Sequence, residues 1–287
     1  MRLIIVSGLS GSGKSVALHM LEDIDFYCVD NIPAALLKPF ISHTVRGMGD
    51  TYPRTAVGLD ARNRPKEIET IPALVTELRR SGISCEVLYL HAADEVLLKR
   101  YAETRRKHPL VAGDVSLREA IATERRLLEP IIIAADLVID TSQMGVHALR
   151  ELIRERIDRR REGRLSLMFE SFGYKHGIPG DADFVFDVRS LPNPFWEHEL
   201  RNLNGRDAAV IEYLSGYASV RDMIADLIAF LDRRVADFSE ANRSYLTIAV
   251  GCTGGRHRSV YIAEKLAEHY RQAYPQVLTR HDSLHKN

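Results

Sequence analysis

Eight residues near the start of the chain, Gly8-Leu9-Ser10-Gly11-Ser12-Gly13-Lys14-Ser15, have the types and spacing to hold a polyphosphate. They satisfy G-x-x-x-x-G-K-[ST] at every fixed position. Glycines let the backbone curl so that successive N–H groups point inward at phosphate oxygens. The positive end of a following helix, near Lys14 to Val16, faces the same anion. Lys14 then reaches the β- and γ-phosphates and Ser15 ligates Mg²⁺, while Asp60, further along, assists with the metal. Glycines at 8, 11 and 13 do not make G-x-G-x-x-G, so the dinucleotide fingerprint is excluded. The bland alternative is a Gly/Ser-rich turn with a chance lysine. The flanks argue against it. Leu3 to Val6 is an unbroken apolar run, the pattern of a strand covered on both faces. Ala17, Met20, Leu21 and Ile24 recur on one helix face.

A second glycine-rich turn lies late in the chain, Gly251-Cys252-Thr253-Gly254-Gly255-Arg256-His257-Arg258-Ser259. It follows an apolar run, Leu246 to Val250, and precedes a helix face marked by Val260, Ala263, Ala267 and Tyr270. Backbone N–H groups around Gly254 and Gly255 and a helix start near Ser259 make an anion nest. Arg256 and Arg258 add planar, charge-assisted contacts to a phosphate. Cys252 and Arg258 also satisfy C-x5-R, the spacing of cysteine phosphatases, where the nest and helix end favour the thiolate. That mechanism needs a general acid as well. No W-P-D loop is present, and Trp196-Glu197 is a poor substitute. A phosphate site without a nucleophile is therefore preferred over a phosphatase, with a structural turn and solvated arginines as the third reading.

The elements that position these turns alternate strand and helix, which implies parallel sheets with helices on both faces. In the first half strands are expected over 26–29, 55–59, 86–90 and 137–139, with helices over 68–80, 94–107, 117–128 and 146–164. Asp30 and Asp60 end strands where ligands bind in open α/β sheets; turn chemistry is the alternative for both. The helix over 94–107 carries Lys99, Arg100, Arg105 and Arg106, which read either as a lid neutralising phosphate charge or as a solvated basic face. From 150 to 164 there are seven arginines against four acids, the expected domain boundary. In the second half strands are expected over 165–169 and 184–188, a polar loop over 171–177, and a long helix over 220–238.

Length and composition bound the rest. The 287 residues suit two domains, and equal numbers of Lys+Arg and Asp+Glu, 39 each, leave no bulk charge to draw the chain to nucleic acid or membrane. The three cysteines, Cys28, Cys85 and Cys252, form no C-x-x-C pair, which argues against disulfide or zinc scaffolding. Met1 to Val6 is too short for a signal-peptide core, and no apolar run approaches a membrane span. A reducing, cytoplasmic setting is the expectation.

Both cradles together resemble the RapZ-like family of P-loop nucleotide-binding proteins, the RNase adapter family. The strings that carry it are GLSGSGKSVALHMLED (8–23), FYCVDNIP (26–33), DARN (60–63), ADLVIDTS (135–142), FESFGYKHGIP (169–179), DADFVFDVRSLPNP (181–194) and NRSYLTIAVGCTGGRHRSVYIAE (242–264). The resemblance implies a kinase-like P-loop domain that hydrolyses ATP and GTP, with Gly8 to Ser15 on ATP and Asp60, Ala61, Arg62 and Asn63 on GTP. It implies a second domain sensing an amino-sugar phosphate, glucosamine 6-phosphate, through Lys175, His176, Arg189, Asn242, Thr253, Gly254, His257, Arg258 and Ser259. It further implies small regulatory RNA and a ribonuclease as partners, and a homo-oligomer. The chain departs from the family at His91, where compared members carry an acid, so no metal role is assigned there. It also departs in its tail. RNA-binding members end strongly basic, whereas residues 256–287 here carry six Lys+Arg against three acids. Phosphate affinity scales with such contacts.

The expected architecture is α/β: a P-loop kinase-like parallel sheet over 1–153, an arginine-rich linker over 154–164, and a smaller α/β domain with a phosphate loop over 165–287. The expected function is a cytoplasmic nucleotide-binding regulator with slow ATPase or GTPase activity and Mg²⁺. One rival is a small-molecule kinase with Asp30 near the acceptor and Arg105 and Arg106 as lid. The other is an RNA adapter whose nucleotide site is only structural.

Overall fold

The computed structural model describes residues 1–47, 52–104, 107–111, 114–158, 165–241 and 243–284, with 44–47 as backbone alone. Arg105, Arg106, Asn242 and the arginine run 159–164 lie outside the described residues. The chain divides into two compact units, Met1–Arg159 and Arg160–Asn287.

The first unit alternates as the pattern requires: β1 (Arg2–Gly8), α1 (Lys14–Glu22), β2 (Tyr27–Val29), α2 (Ala34–Gly47), β3 (Arg54–Gly58), α3 (Pro65–Ile68), α4 (Ile71–Arg80), β4 (Ser84–His91), α5 (Asp94–Thr104), α6 (Leu117–Leu127), α7 (Glu129–Ile133), β5 (Leu137–Asp140) and α8 (Val146–Ile153). The five strands form one parallel sheet in the order β2-β3-β1-β4-β5. Every residue of β1 is buried, because it sits mid-sheet under helices on both faces. The helix expected over 146–164 continues past α8 as a π turn, Arg154–Asp158. Its arginines are not all a solvated face. Arg156 is fully buried, and Ile157 O takes a hydrogen bond from Arg2 Nη1. α2 was not expected, since Pro39 inside it removes a backbone donor.

The second unit contains β6 (Ser166–Gly173), β7 (Phe184–Asp187), α9 (Ala208–Ser215), α10 (Ala218–Glu240), β8 (Tyr245–Cys252), α11 (Arg258–Tyr270) and β9 (Val277–His281). Its four strands are also all parallel, in the order β7-β8-β6-β9. The polar loop expected over 171–177 starts later than its composition suggests. Ser171, Phe172 and Gly173 pair with Val250, Gly251 and Cys252 as the end of β6, and only Tyr174–His176 turn away as a 3-10 helix. β9 is the strand that its short, mixed sequence did not announce.

Counted within each unit, the first four strands take the same order, second, third, first, fourth, and the first unit adds a fifth beside its fourth. Connections from the first and third strands leave toward opposite sides, so the ligand crevice of such sheets falls between their carboxyl ends. Those ends are β1 and β3 in one unit, and β6 and β8 in the other. Each is where a glycine-rich turn of the sequence lies.

Candidate phosphate-binding sites

At the end of β1 the backbone is forced into a shape that only glycine takes. Gly8 has φ 140°, and a Cβ there would lie 2.1 Å from Leu90 O on β4. Gly13 has φ 108°, and a Cβ would meet Leu149 of α8 at 2.8 Å. The carbonyls of the turn are drawn outward. Arg100 Nη1 donates to Gly11 O at 2.9 Å, and Thr141 Oγ1 donates to Ser12 O at 2.9 Å. Because a trans peptide opposes its N–H to its C=O, the Gly13 N–H faces the other way, into the cradle. α1 begins directly after, with Gly13 as N-cap, no capping side chain and no acid in its first turn. Its first N–H groups therefore stay available to an anion.

Lys14 Nζ donates to Gly8 O at 2.8 Å. Burial pushes its pKa down, and the charges of Glu124, Asp60 and Asp30 work against that. Ser15, at the second position of α1, is exposed. Leu9 is fully buried, so it offers a ligand only main chain. Ser10 is turned outward to α6: its N–H donates to Glu124 Oε2 at 2.9 Å and its hydroxyl to Oε1 at 2.7 Å. Glu124 also meets His108 Nε2 at 3.0 Å, both side chains being fully buried. His108 Nδ1 accepts the Leu110 N–H at 3.1 Å, so Nε2 carries the proton and donates to the carboxylate. Burial raises the Glu124 pKa, but the bonds from His108 and Ser10 and the Lys14 charge outweigh it and hold it below the usual range.

Asp60, just past β3, is committed to Arg62. Oδ1 takes the Arg62 N–H at 2.9 Å, and Oδ2 takes Nε and Nη2 at 2.9 and 2.7 Å. Ala61 is buried. The Asn63 side chain accepts the Ala34 N–H at 2.6 Å and donates to Asp60 O at 3.2 Å, so it pins the start of α2. Asp30 Oδ1 lies 2.7 Å from where a Gly58 Cβ would stand, at the same sheet end. Of the helix arginines, Arg100 holds the loop and the Thr141 carbonyl rather than serving as a lid. His91 Nδ1 faces Arg125 Nη1 at 3.3 Å, and burial pushes its pKa down.

The second cradle is built at the end of β8. Gly255 has φ 70°, and a Cβ would lie 2.2 Å from Ser283 Oγ and 2.6 Å from Gly173 N. A Cβ on Gly173 would in turn meet the Gly254 carbonyl carbon at 2.7 Å, so β6 and the turn are in backbone contact. Gly205 presses on the His257 carbonyl from the other side. Gly255 N–H donates to Cys252 Sγ at 3.2 Å, and Ser259 Oγ lies 3.2 Å from the same sulfur. α11 starts here, again with no capping side chain and no acid in its first turn.

Arg258 is only 5% exposed. Its Nη1 donates to Arg189 O at 2.7 Å and Leu191 O at 3.0 Å. Nη2 makes one long contact, 3.5 Å to Thr253 Oγ1, and Nε is buried with no hydrogen-bond partner among the described residues. One edge of the guanidinium thus fixes the 189–191 segment, and the Nε–Nη2 edge is the fork left for an anion. Lys175 N–H donates to Thr253 O at 3.3 Å, which brings Lys175 and the neighbouring His176 beside the turn. Arg189 lies over the Tyr174 ring at 4.1 Å and is tied bidentately to Asp187. That bond holds the Asp187 carboxyl below its usual range. Thr253, Arg258, Lys175 and Arg189 are therefore linked around one rim, while Ser259 is fully buried against the Cys252 sulfur. His257 is turned from it, its buried Nε2 bonded to Leu200 O at 3.1 Å. Arg256 Nη2 donates to Asn202 O at 3.2 Å and so braces the turn.

Sequence reasoning missed Glu124, His108 and Thr141. Their roles follow from contacts across 114 and 129 positions, which no local pattern encodes.

The parallel sheet with a glycine-lined phosphate turn after its first strand defines a P-loop nucleotide-binding fold for the first unit, joined to a second α/β unit. Residues 1–161 match the RapZ-like N-terminal domain and residues 165–285 the RapZ C-terminal domain. The chain belongs to the RapZ-like family. A nucleotide-binding protein of Alkalilimnicola ehrlichii is 52% identical over 289 residues, covering 99% of this chain and 99% of that one. One of Nitrosococcus oceani is 52% identical over 284 residues, covering 99% and 100%. One of Methylococcus capsulatus is 48% identical over 284 residues, covering 99% and 96%. Among the described residues no helix is long and apolar enough to cross a membrane, and no three His, Cys, Asp or Glu gather to hold a metal ion. Mg²⁺ with a nucleotide needs no such cluster, since phosphates and water supply most of its ligands. The cradle, Lys14 and the exposed Ser15 hydroxyl fit a Mg²⁺–nucleotide.

Proposed function

We propose that the first unit binds ATP or GTP with Mg²⁺ and hydrolyses it slowly, and that the second binds glucosamine 6-phosphate or a similar sugar phosphate. The observation that carries the reading is common to both cradles: each ends on a helix whose first N–H groups take no side-chain cap and whose first turn has no acid. Arg258 supports the sugar phosphate, because a planar fork suits phosphate oxygens. The protein is then a cytoplasmic, homo-oligomeric regulator. Its sugar-phosphate occupancy sets whether it presents small RNA to a ribonuclease, provided the ligand favours one of two arrangements.

Bound Mg²⁺ would shield the charge that develops on the transferring phosphate. Within the chain, Lys14 binds the β- and γ-oxygens, Ser15 orients the metal, and the loop amides fix the phosphates. For Asp60 to assist, Arg62 must first release it.

Titration calorimetry of the full chain tests both halves. Micromolar binding of ATP or GTP that Lys14→Ala removes, and binding of glucosamine 6-phosphate that Arg258→Lys weakens, are expected. Unchanged nucleotide affinity in Lys14→Ala would overturn the first half. Transfer of phosphate from ATP to a metabolite would favour the kinase instead.

A further inference from the structure

The C-terminal turn does more than present amides to an anion. Its cysteine sits under the nest with two groups directed at its sulfur. The Gly255 N–H donates to Sγ at 3.2 Å, and the Ser259 hydroxyl lies at 3.2 Å on the residue after Arg258. Arg258, in the C-x5-R relation to Cys252, is buried, its Nε without a hydrogen-bond partner among the described residues and its Nη2 on one long contact to Thr253. The start of α11 adds its uncapped N–H groups. A thiolate is the nucleophilic form of cysteine, and main-chain N–H groups, a helix N-terminus and a neighbouring guanidinium are what stabilise one. Neither of the other two cysteines lies in such a turn. Burial pushes the Cys28 thiol up to about 11 and the Cys85 thiol up to about 12.

We infer that Cys252 is a covalent phosphoryl acceptor for activated phosphomonoesters, acyl or aryl phosphates, held by the turn and Arg258. The inference rests on the reading of this turn as a phosphate site. In the first step Cys252 Sγ attacks phosphorus and forms an S–P bond, its proton passing to solvent. The P–O bond to the leaving group breaks, and the leaving group departs with the electron pair as a carboxylate or phenolate. In the second step water attacks phosphorus and loses a proton to solvent. The S–P bond breaks, the thiolate reforms with Ser259 donating to it, and inorganic phosphate is released.

The leaving group decides which esters react. An alkoxide must be protonated as it leaves. Asp187, nearest in sequence to the Arg189 rim, is held ionised by Arg189, and burial pushes the Tyr174 hydroxyl above its usual range. Acyl and aryl phosphates need no acid, so they transfer. A sugar phosphate, whose leaving group is an alcohol, binds and is not turned over. One turn would thus read sugar phosphates reversibly and activated phosphates covalently.

Intact-mass spectrometry of the full chain after incubation with acetyl phosphate tests this. A gain of one phosphoryl group, mapped to Cys252 by peptide analysis, is expected. Cys252→Ser should abolish it and Cys28→Ser should leave it unchanged. Ser259→Ala should lengthen the lifetime of the adduct, because the departing thiolate loses a donor. Release of p-nitrophenolate from p-nitrophenyl phosphate should fall at least tenfold in Cys252→Ser. A label absent from the wild type, or retained in Cys252→Ser, would overturn the inference. Titration with inorganic phosphate separates it from the underlying reading. Wild type and Cys252→Ser, whose hydroxyl can still accept the Gly255 N–H, should both bind phosphate, which shows that the turn of the variant is intact. Phosphate binding without labelling sinks only the thiol chemistry, and no binding in the wild type sinks the phosphate site itself.

Discussion

The two cradles solve one problem from opposite directions. Both stand at the carboxyl end of a strand in sheets whose first four strands share the order second, third, first, fourth, and both open onto an uncapped helix. The first is held from outside: Arg100 and Thr141 pull its carbonyls outward, and the Glu124–His108 pair pulls Ser10. Its cation, Lys14, is a flexible point charge that curls back on Gly8 O. The second is held from within, by the Cys252 sulfur bonded to Gly255 and Ser259. Its cation, Arg258, is a rigid fork already locked on one edge. A lysine on a braced loop suits a polyphosphate whose charge moves during reaction. A locked guanidinium suits a single phosphate recognised by shape.

The sharpest break in this comparison is at the glycines. Gly8→Ala and Gly255→Ala each place a Cβ within about 2.2 Å of another atom at positive φ. Each should cost on the order of 3 kcal/mol or more, in its own unit alone. Calorimetric unfolding should show one transition lowered and the other unmoved. Loss of both together would mean that the units do not fold separately.

Glu124→Ala comes next. It strands the buried His108 N–H and the Ser10 N–H, so about 3 kcal/mol should be lost from the first unit, against roughly 1 kcal/mol for Ser259→Ala in the second. Denaturant midpoints measure both, and equal losses would dissolve the contrast between outside and inside bracing.

The two units should also answer pH with opposite signs. Glu124 has a depressed folded pKa, so its contribution is present above the unfolded value of about 4.3 and disappears as pH falls through the folded value. Glu170 on β6 is raised by burial, then by Asp181 and Asp282, with Arg280 opposing. Its contribution is full below about 4.3 and is lost as pH rises from there to the folded value, at about 1.4 kcal/mol per pH unit. Thermal scans at a series of pH values should show the second unit gaining as pH falls to about 4.3 and the first weakening only below that. Parallel slopes would refute it. The smallest effect is expected from Asp187→Asn, which frees the exposed Arg189 and should change sugar-phosphate affinity a few-fold with the melting transition unchanged.

Much of this was legible along the chain. The glycine spacing and flanking apolar runs located both turns, because main-chain curling and helix starts are local consequences of residue type. Strand–helix alternation announced parallel sheets for the same reason. Short elements with weak patterns were missed: β9 is five residues with two basic side chains, and α2 hides behind Pro39. Ser171 to Gly173 reads as loop by composition and is strand, because its pairing with β8 outweighs its propensity.

The order of residues by itself settled which backbone could curl around a phosphate, where the two helices begin and which cations stand in the turns, since each depends on neighbours within a few positions. Only the tertiary structure decided what those side chains do. Asp60 is spent on Arg62, His257 on Leu200 and Arg100 on the loop it was expected to cover. Glu124 reaches Ser10 from 114 positions away. Charges and hydrogen bonds act through space, and their partners are fixed only when the sheets bring distant strand ends together.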